Sequence, residues 1–546
     1  MDYSFFFNIG ILWFFITFIF LLFLNFFLRV SLFILIGIIY LVLLVLLVCS
    51  NSSPFGSSET NFFLWFNFDL EVPVYFNISS NVYTNEFSFI LILLALIIHF
   101  YSFFYFKKDP DFARFTLLIG FFLFFMLLLI NTGSWIFLFV SWEGVGLLSF
   151  LLVSFWYSKV NTFKSGIKVL LYNRIGDFFL FISIGLLEFF LKVDGFSNTS
   201  YLMPLLSNNS INFGSYILLE FILGFSLMAV ILSKSAQFGF HIWLLEAMEA
   251  PLPASSLIHS ATLVCAGVVL FFKSFNFILY SSYITSFIIF WSSLTACFLS
   301  ASALLNYDIK KILAYSTGSH VSLMLILSIS SGGSLGYAYT LVHASIKVFI
   351  FLLFGFIIDA NQGIRDIRKM GGFFRFQDIT YYGFFAICSL SSLPFFPLAF
   401  LKDIAGSSIM NGSFIHDTSL FFLMLATVFN YLYMFRLFFK IFFGDLLSVN
   451  NTYFNYFFIF FKKIGVVFKG TGYIFWKNPL FILFFFSFFF EISILFFMGV
   501  DFGFSENRIL FVNNYTLSNS TLKYLSYSNT LFFFFILIKT YNKIFK

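Results

Sequence analysis

Ionisable side chains that interrupt long apolar runs are the residues of this sequence with the clearest capacity for chemistry. Lys234 closes a long apolar run, and the polar segment Ser233–Gly267 also contains His259. Glu143 lies within the apolar run SWEGVGLLSF. A charged side chain at the centre of a bilayer costs at least about 2.5–3.5 kcal/mol, so such residues are kept for a function or for a paired charge.

Further ionisable side chains in apolar runs occur mostly in closely spaced pairs. They are Arg174 with Asp177, His343 with Lys347, and Lys402 with Asp403 after Pro394 and Pro397, while Glu491 occurs singly. Spacings of three and four residues place two side chains on one face of a helix. The first two pairs are therefore expected to act from one helical face each.

Carboxylates, lysines and histidines in such positions could pass protons across a membrane. Burial disfavours the charged form of a lysine and a nearby carboxylate favours it, so moving the carboxylate switches the lysine between proton uptake and release. Histidine titrates near neutral pH. We therefore predict a proton relay through Glu143, Lys234, His259, His343, Lys347 and Lys402, with Arg174 and Asp177 as a supporting pair.

An alternative interpretation is that these charges are structural ion pairs that hold helices together. Arg174 and Asp177 fit it best, because adjacent opposite charges neutralise each other. Four other residues are expected near helix ends, where a long side chain reaches the interface: His241, Lys273, His320 and Arg436. Glu246 and Glu249, just before Pro251, are expected to be solvated or to mark the mouth of a proton path.

The composition indicates which kind of protein must position these residues. Of 546 residues, 61% are hydrophobic and 10% are charged, whereas soluble domains carry about 25% charged residues. Long apolar segments in lipid must be helical, so we predict an all-α polytopic membrane protein. The four scattered cysteines argue against metal or disulfide sites. The sequence contains no glycine-rich nucleotide loop, and no basic stripe that would bind nucleic acid.

The apolar runs predict about fourteen transmembrane helices, since one span takes about 20 residues. They lie near 4–25, 31–49, 87–106, 114–131, 135–156, 168–191, 215–245, 255–278, 283–305, 310–330, 335–358, 378–405, 418–440 and 478–499. Lysine and arginine concentrate in alternate loops, which places the N-terminus and the end of helix 14 on the opposite, non-cytoplasmic side. We expect no cleavable signal peptide, an external loop at 51–86 with extended pieces around Phe62–Phe68, and an interfacial or partner-docked tail after Val500.

Prolines and a glycine predict interruptions in two of these helices. Gly239, Pro251 and Pro253 weaken helix 7 or follow it, and Pro394 and Pro397 lie within helix 12. Interrupted helices at corresponding positions of two halves are typical of transport sites. Because helices 7 and 12 are five apart, we predict that helices 4–8 and 9–13 form two five-helix repeats.

Six sequence runs, in this order, resemble the chain 5 family of the proton-pumping NADH–ubiquinone oxidoreductase, complex I. They are SWEGVGLLSFLLVSFW, LYNRIGDFFLF, SKSAQFGFHIWLLEAMEAPLPASSLIHSATLVCAG, NYDIKKILAYSTGSH, LVHASIKVFIFLLFGFII and DIRKMGG. The resemblance covers roughly residues 90–440. Sister chains 2 and 4 share the Glu and Lys positions, but the WEGVG and AMEAPLPASSLIHSAT runs are typical of chain 5. The large antiporter subunit of multisubunit Na⁺/H⁺ exchangers is also similar.

The resemblance implies fourteen core helices with two inverted five-helix repeats and broken helices 7 and 12. The corresponding organisation is helices 1–3 (1–106), a first antiporter-like half (107–278), a second antiporter-like half (279–440), a loop with helix 14 (441–499) and a short tail (500–546). It implies that Glu143 and Lys234 form a paired switch. The hydrophilic axis would continue through His259, His343 and Lys347 to Lys402, with Arg174 and Asp177 as the helix-6 pair.

The resemblance also implies cofactors, partners and a location. No redox centre is expected in this chain, and NAD, FMN, iron–sulfur clusters and ubiquinone would be held by other subunits. The expected partners are the other membrane subunits of complex I, especially the sister chain 4, together with lipids. The expected location is the mitochondrial inner membrane, and the 97 phenylalanines fit the AT-rich codon usage common in organelles.

The sequence departs from the family in three places. Tyr339 stands where the family often has a histidine four residues before His343, so that relay step must use a phenol or water. HIWLLEAM lacks two prolines of the family's HPWLPDAM, which leaves the position of the break in helix 7 open. At about 1.5 Å per residue, Val500–Lys546 is too short for both the family's lateral helix and a final span, so this part is shortened, lost or supplied by another chain.

Three functions remain compatible with the sequence. The first is a proton-translocating subunit of NADH:ubiquinone oxidoreductase, the second a subunit of a cation/proton antiporter, and the third a non-pumping membrane scaffold. The DIRKMGG run and the organelle-like composition favour the first over the second.

Overall fold

The computed structural model describes most of the chain between residues 36 and 444. The described residues are 36–43, 58–67, 73–106, 109–190, 213–280, 282–330, 333–393, 396–409 and 414–444, together with residues 10, 17 and 45. Predicted helices 1 and 14, the ends of helix 2, Pro394, Glu491 and the tail after Val500 lie outside these residues.

From residue 82 onward, the described residues are mainly helical. The helices are α1 (Val82–Tyr105), α2 (Phe112–Asn131), α3 (Trp135–Val153), α4 (Val160–Gly185), α5 (Phe213–Lys234), α6 (Ile242–Glu246), α7 (Leu252–Ser260), α8 (Leu263–Lys273), α9 (Phe275–Tyr280), α10 (Ser282–Leu305), α11 (Ile309–Ser330), α12 (Ser334–Ala360), α13 (Gln377–Ser391), α14 (Pro397–Ile409) and α15 (Phe414–Phe442). Within the described residues, nine helical stretches are long and apolar enough to cross a membrane. The predicted all-α polytopic class is therefore confirmed, and predicted helices 3 to 13 each correspond to described helix.

A two-stranded antiparallel hairpin precedes α1. It pairs β1 (Ser58–Asn67) with β2 (Pro73–Ser80), so the extended structure expected in the external loop is present and includes a second strand that the sequence did not indicate. The hairpin is tied to the connection between α2 and α3, because the Gly133 N–H donates to the Asn77 carbonyl at 3.0 Å. It therefore covers one end of this helix pair.

The opposite ends of the helices meet at the side where lysine and arginine concentrate, here called the basic side. Ion pairs there join distant segments, with Lys168 2.5 Å from Glu246 and Arg365 3.7 Å from Glu249. One helix starts well before its predicted bound: α4 begins at Val160 rather than near residue 168, so Lys164 lies in the helix and not in the preceding loop. A lysine tolerates this position because its ammonium group reaches the basic side.

Three of the predicted helices are broken. Helix 7 stops at Lys234 and resumes at Ile242 as α6, with positive φ values at Ala236 (53°) and Gly239 (92°) in between. Helix 12 consists of α13 and α14, with Pro397 as the first residue of α14. These two breaks confirm the prediction.

The third break corrects the prediction of one continuous helix at 255–278. Here α7 ends at Ser260, and α8 begins at Leu263 after two residues with non-helical backbone, Ala261 and Thr262. The Thr262 hydroxyl donates to the Leu257 carbonyl at 2.8 Å, which satisfies a carbonyl that the broken helix leaves free. Such a side-chain contact leaves no mark in an apolar pattern.

Helices 7 and 12, two of the three broken helices, are each the fourth helix of a five-helix set. The first set corresponds to predicted helices 4–8, which are α2 to α9 because the broken helices carry more than one label, and it begins at the basic side. The second set corresponds to predicted helices 9–13, which are α10 to α15, and it begins at the opposite side. An odd number of spans reverses the direction of the second set, so the two sets have inverted topology. The breaks in helices 7 and 12 therefore lie in corresponding helices of the two halves, as is typical of transport folds. The break in helix 8 has no counterpart in α15.

Candidate functional site

Lys234 and Asp177 form a buried ion pair at the end of α5. Lys234 is the last residue of that helix and is 1% exposed, and its Nζ lies 3.5 Å from Asp177 Oδ1 on α4. The Trp142 indole N–H of α3 donates to the same carboxylate oxygen at 2.8 Å, and the ammonium lies 5.0 Å from the Trp142 ring centroid. Carboxylate and ring together compensate a charge whose burial alone would cost several kcal/mol.

Glu143 and Arg174 complete this group, which we call the first-half cluster: Trp142, Glu143, Arg174, Asp177 and Lys234. Arg174 Nη1 lies 2.6 Å from the Glu143 carboxylate and 3.9 Å from Asp177. The sequence suggested that Glu143 pairs with Lys234 and Arg174 with Asp177. In the structure the closest ionic contacts are exchanged, because α4 places Asp177 toward α5 and Arg174 toward Glu143.

Glycines allow the helices to close around Lys234. A methyl group at Gly146 would lie 3.6 Å from Lys234 Nζ, so this residue of the WEGVG run lines the space that the ammonium occupies. A methyl group at Gly176 would lie 2.1 Å from Ser233 Oγ, and one at Gly267 would lie 2.9 Å from the Ile231 carbonyl oxygen. Both α4 and α8 thus pack against the end of α5 at a distance that a larger residue would prevent.

The break after Lys234 is held by polar side chains from the second half. Gln237 is fully buried, donates to the Ser235 carbonyl at 3.2 Å and accepts a short hydrogen bond from the Thr295 hydroxyl of α10. The Trp291 indole N–H, also on α10, donates to the Phe238 carbonyl at 3.2 Å. One backbone carbonyl and one side-chain amide of the break are therefore paired with α10, which joins the break to the second half.

His259 lies between the two halves. It is fully buried on α7, and its ring stacks on Phe351 of α12 with centroids 6.0 Å apart. It is close enough to Lys347 to interact with that residue electrostatically. Neither of its ring nitrogens has a hydrogen-bond partner among the described residues, so neither proton-exchanging atom is held by a protein hydrogen bond there.

A second group of polar side chains lies between α11 and α12. Lys347 donates to Ser316 Oγ at 2.5 Å and to the Leu313 carbonyl at 3.3 Å. Lys402, buried on α14 beyond the second break, lies close enough to Lys347 to interact with it electrostatically. We call this group the second-half cluster: Ser316, His320, Tyr339, His343, Lys347 and Lys402.

Histidine and tyrosine side chains extend the second-half cluster along α11 and α12. His343 is fully buried, and its ring lies 5.4 Å from that of His320. His320 Nδ1 is 2.6 Å from the Tyr339 hydroxyl, which gives the phenol expected at this step a specific partner. His320 was expected at a helix end but lies midway along α11, so that expectation is wrong.

The other residues expected at helix ends differ among themselves. Lys273 is the last residue of α8 and donates to the Thr132 carbonyl at 2.5 Å. Arg436 lies within α15, where it hydrogen-bonds the Leu304 carbonyl and lies 4.8 Å from the Tyr307 ring centroid. His241 immediately precedes α6 and contacts Phe238 and Phe298. Lys273 and His241 therefore lie at helix ends, and Arg436 lies within α15 with its guanidinium at the end of α10.

Glu246 and Glu249 lie at the basic side, where α6 ends. Both are in ion pairs, with Lys168 and Arg365 respectively. Beside them, the buried Lys310 ammonium donates to the Ala250 carbonyl at 3.0 Å. Within the described part of the chain, no three His, Cys, Asp or Glu side chains come together as a metal site.

Comparison with known proteins places the chain in a family. The sequence model described as NADH:quinone oxidoreductase/Mrp antiporter, transmembrane, matches residues 132–433. The chain belongs to this family. The matched residues contain all three helix breaks and both clusters. The candidate functional site therefore lies within the part of the chain that matches the family.

Relatives of known name support the same family. The chain is 32% identical over 483 residues to NADH-ubiquinone oxidoreductase chain 5 of Acanthamoeba castellanii, which covers 83% of this chain and 71% of that protein. It is 33% identical over 377 residues to NADH-quinone oxidoreductase subunit L of Rickettsia bellii, with 68% and 58% covered. For chain 5 of Hypocrea jecorina the identity is 33% over 426 residues, with 78% and 58% covered. The last two matches span less than two thirds of the relatives' own lengths.

The fold is shared with a solved antiporter complex. A chain of the Mrp complex from Dietzia sp. superposes with a TM-score of 0.66 at 18% sequence identity, covering 90% of this chain and 56% of that chain. At 18% identity the structural similarity establishes the fold of this chain only. The activity of the chain has to be argued from its own side chains.

Proposed function

We propose that this chain is a proton-translocating membrane subunit of NADH:ubiquinone oxidoreductase. The observation that carries the proposal is the buried Lys234 at the end of a broken helix, in contact with one carboxylate and close to a second ion pair. The relatives named as chain 5 and subunit L support the assignment to that complex.

Lys234 is placed where a proton can be held and then released. The C-terminal end of α5 carries the negative end of the helix dipole, which favours an ammonium group at its last residue. Asp177 adds a full negative charge at 3.5 Å. Arg174 competes for that carboxylate from 3.9 Å, so a shift of Arg174 between Glu143 and Asp177 would change the field at Lys234. We propose that this shift is the switch.

Protons would then pass from the first-half cluster to the second-half cluster through His259. The histidine is fully buried between the halves and interacts electrostatically with Lys347. Buried ring nitrogens without protein partners are commonly satisfied by water, which also conducts protons between side chains. Lys347 and Lys402 continue the relay to the second break. The roles of Glu143, Lys234, His259, His343, Lys347 and Lys402, with Arg174 and Asp177 in support, remain part of this proposal.

The sister chain 4 is the partner that we propose for the outer face of α4. Arg174 is 47% exposed near the middle of this helix, among the exposed apolar side chains Leu171, Ile175 and Phe178. A guanidinium facing lipid at that depth would cost several kcal/mol, whereas a polar contact from a neighbouring subunit removes the cost. Because the same arginine holds Glu143, the partner would act directly on the first-half cluster.

The proposed membership in this complex also implies where the cofactors are held and in which membrane the chain lies. NAD, FMN, iron–sulfur clusters and ubiquinone are proposed to be held by other subunits, so that this chain moves protons without a redox centre of its own. The chain 5 relatives are eukaryotic and the sequence is rich in phenylalanine, which supports the mitochondrial inner membrane, while the Rickettsia relative shows that bacterial membranes hold such chains too.

A cation/proton antiporter subunit is the second candidate. It is favoured by the family description, which names Mrp antiporters together with the oxidoreductase. The two candidates differ in what accompanies the chain after mild solubilisation. Copurification with NADH:quinone activity supports the first, and sodium-driven proton exchange without NADH oxidation supports the second.

Lys234→Met tests the proposed function directly. Proton pumping and NADH:quinone activity are measured together in membrane vesicles, with Lys311→Met as a control because Lys311 is a half-exposed lysine at the basic side. We expect the ratio of protons to electrons to fall for Lys234→Met and to stay unchanged for Lys311→Met. An unchanged ratio for Lys234→Met in a fully assembled complex would favour the non-pumping scaffold.

A further inference from the structure

His320 and Tyr339 form a buried titratable pair that lies beside the proposed relay. His320 is on α11 and is 1% exposed, and Tyr339 is fully buried on α12. The 2.6 Å between His320 Nδ1 and the tyrosine hydroxyl is a short hydrogen bond. The other ring nitrogen, Nε2, has no hydrogen-bond partner among the described residues. The ring therefore has one anchored atom and one that is free to exchange a proton.

The pair continues a ladder of polar contacts between two antiparallel helices. Lys347 contacts Ser316 on α11, and His343 contacts His320 one turn further along. Along α12 the residues are spaced by four, from Lys347 to His343 to Tyr339, so they share one helical face. His320 is thus the α11 residue that faces two consecutive turns of the α12 ladder.

The groups that face His320 come from three helices. They are Tyr339, His343 and Lys347 on α12, Lys402 on α14, and Tyr433 on α15 beside Tyr339. Asp403, the carboxylate next to Lys402, interacts with that lysine. A neutral imidazole in such surroundings can hold a proton briefly between two lysines without a lasting charge of its own.

We infer that His320 is a proton-carrying residue of the relay, positioned by Tyr339 between His343 and Lys402. This inference rests on the proposed proton-translocating function. His320 takes up a proton at Nε2 from the His343 side, which gives an imidazolium, and releases the same proton from Nε2 toward Lys402, which returns the ring to its neutral form. Nδ1–H stays bonded to the Tyr339 oxygen in both states, so the tyrosine holds the ring in place without carrying the proton. No other reactant is needed for this step.

A structural role for His320 makes a different prediction. If the ring only anchors Tyr339, glutamine at this position retains a hydrogen-bonding side chain and function persists. If the ring carries protons, glutamine stops the step because an amide does not titrate in this pH range. The two roles are therefore separable by one substitution in the intact complex.

The experiment compares His320→Gln, Tyr339→Phe and the double variant His320→Gln/Tyr339→His in membrane vesicles. Pumping is measured with NADH:quinone activity, and His99→Gln is the control because His99 is equally buried but lies on α1. We expect His320→Gln to slow proton translocation through this chain by about 100-fold, the usual cost of losing a positioned proton-transfer group. Tyr339→Phe is expected to lose less, and His99→Gln is expected to pump normally.

The double variant decides between relay and anchor. It moves the histidine across the helix pair to α12, four residues from His343, so a relay role predicts that pumping recovers relative to His320→Gln. A structural role predicts a further loss, because both partners of the hydrogen bond have changed. Normal pumping by His320→Gln, or no recovery in the double variant, overturns the inference. If His320→Gln does not assemble, normal pumping by an assembled Tyr339→Phe together with a non-pumping double variant also overturns it.

The proposed function and the role of His320 are tested by different variants. Loss of pumping in Lys234→Met with normal pumping in His320→Gln leaves the proposed function intact and removes only His320 from the relay. Unchanged pumping in Lys234→Met removes the proposed function, whatever His320→Gln shows.

Discussion

The first-half and second-half clusters stabilise their buried charged groups in different ways. In the first, Lys234 and Arg174 are matched by the carboxylates Asp177 and Glu143. In the second, Lys347 contacts a hydroxyl and a carbonyl, and its titratable neighbours on α11 and α12 are histidines and a tyrosine. Ion pairing stabilises charge in place, whereas neutral donors and acceptors let it pass. The first cluster is therefore suited to switching and the second to conduction.

Asp177→Asn gives the sharpest test of the switching cluster. It removes the carboxylate that contacts Lys234 and leaves a buried ammonium unpaired, at a cost of about 3–5 kcal/mol. Glu143→Gln leaves the Asp177–Lys234 contact intact. We expect pumping to fall much further in Asp177→Asn than in Glu143→Gln, measured as the proton-to-electron ratio in vesicles. The reverse order would mean that the contact at 3.5 Å is not the functional one.

Gly267→Ala tests whether close helix packing holds the first-half cluster. Its methyl group would lie 2.9 Å from the Ile231 carbonyl oxygen, a backbone atom that cannot turn aside. Overpacking of this kind costs up to about 3 kcal/mol. We expect a lower thermal stability of the assembled complex, while Gly185→Ala, with nothing within 4 Å of the added methyl, leaves it unchanged. Equal stability in both variants would show that α8 can move away from α5.

Thr295→Val tests the connection between the two clusters. The change removes the donor to Gln237 in the break of helix 7 and leaves a buried amide oxygen short of one partner, at a cost of about 1–2 kcal/mol. We expect several-fold slower pumping at normal assembly. Thr427→Val is the control, because the Thr427 hydroxyl donates within its own helix to the Met424 carbonyl and has no bond to another helix among the described residues. Equal pumping in the two variants would remove α10 from the coupling between the halves.

Asp366→Asn lies outside both clusters and gives the smallest expected effect. In the basic-side connection 361–376, the hydrogen bond from the Arg368 side chain holds the pKa of Asp366 below its ordinary value of 3.8. The carboxylate therefore contributes stability above that value and loses it as the pH falls further. We expect a small loss of thermal stability in Asp366→Asn that is constant from pH 8 to pH 5. A difference that changes across this range would point to another titrating group.

The sequence predicted the first-half cluster well because a charge within an apolar run is conspicuous. Lys234, Glu143, Asp177 and Arg174 were all identified, and helical spacing placed Arg174 and Asp177 on one face. The predicted Arg174–Asp177 pair is present at 3.9 Å, but the closer contacts are Lys234 with Asp177 and Arg174 with Glu143. Which carboxylate meets Lys234 depends on how α4 is rotated against α3 and α5. Helix rotation follows from packing at residues such as Gly176, and one sequence alone does not specify it.

The second-half cluster was predicted less completely. His343, Lys347 and Lys402 interrupt apolar runs and were found, whereas His320 follows the polar run STGS and was taken for a residue at a helix end. Its position in the middle of the predicted helix 310–330 could have indicated that it lies inside the bundle. The break at Ala261 and Thr262 was missed for a related reason, since a threonine hydroxyl that replaces one helical hydrogen bond looks ordinary in a hydropathy pattern.

Whether the two clusters form one pathway is tested most directly by combining Lys234→Met with Lys347→Met. Proton-to-electron ratios are compared among the two single variants and the double variant in vesicles with matched NADH:quinone activity. If protons pass from one cluster to the other in series, the double variant loses no more than the more severe single variant. Additive losses would contradict the account, because they would mean that each cluster moves protons independently.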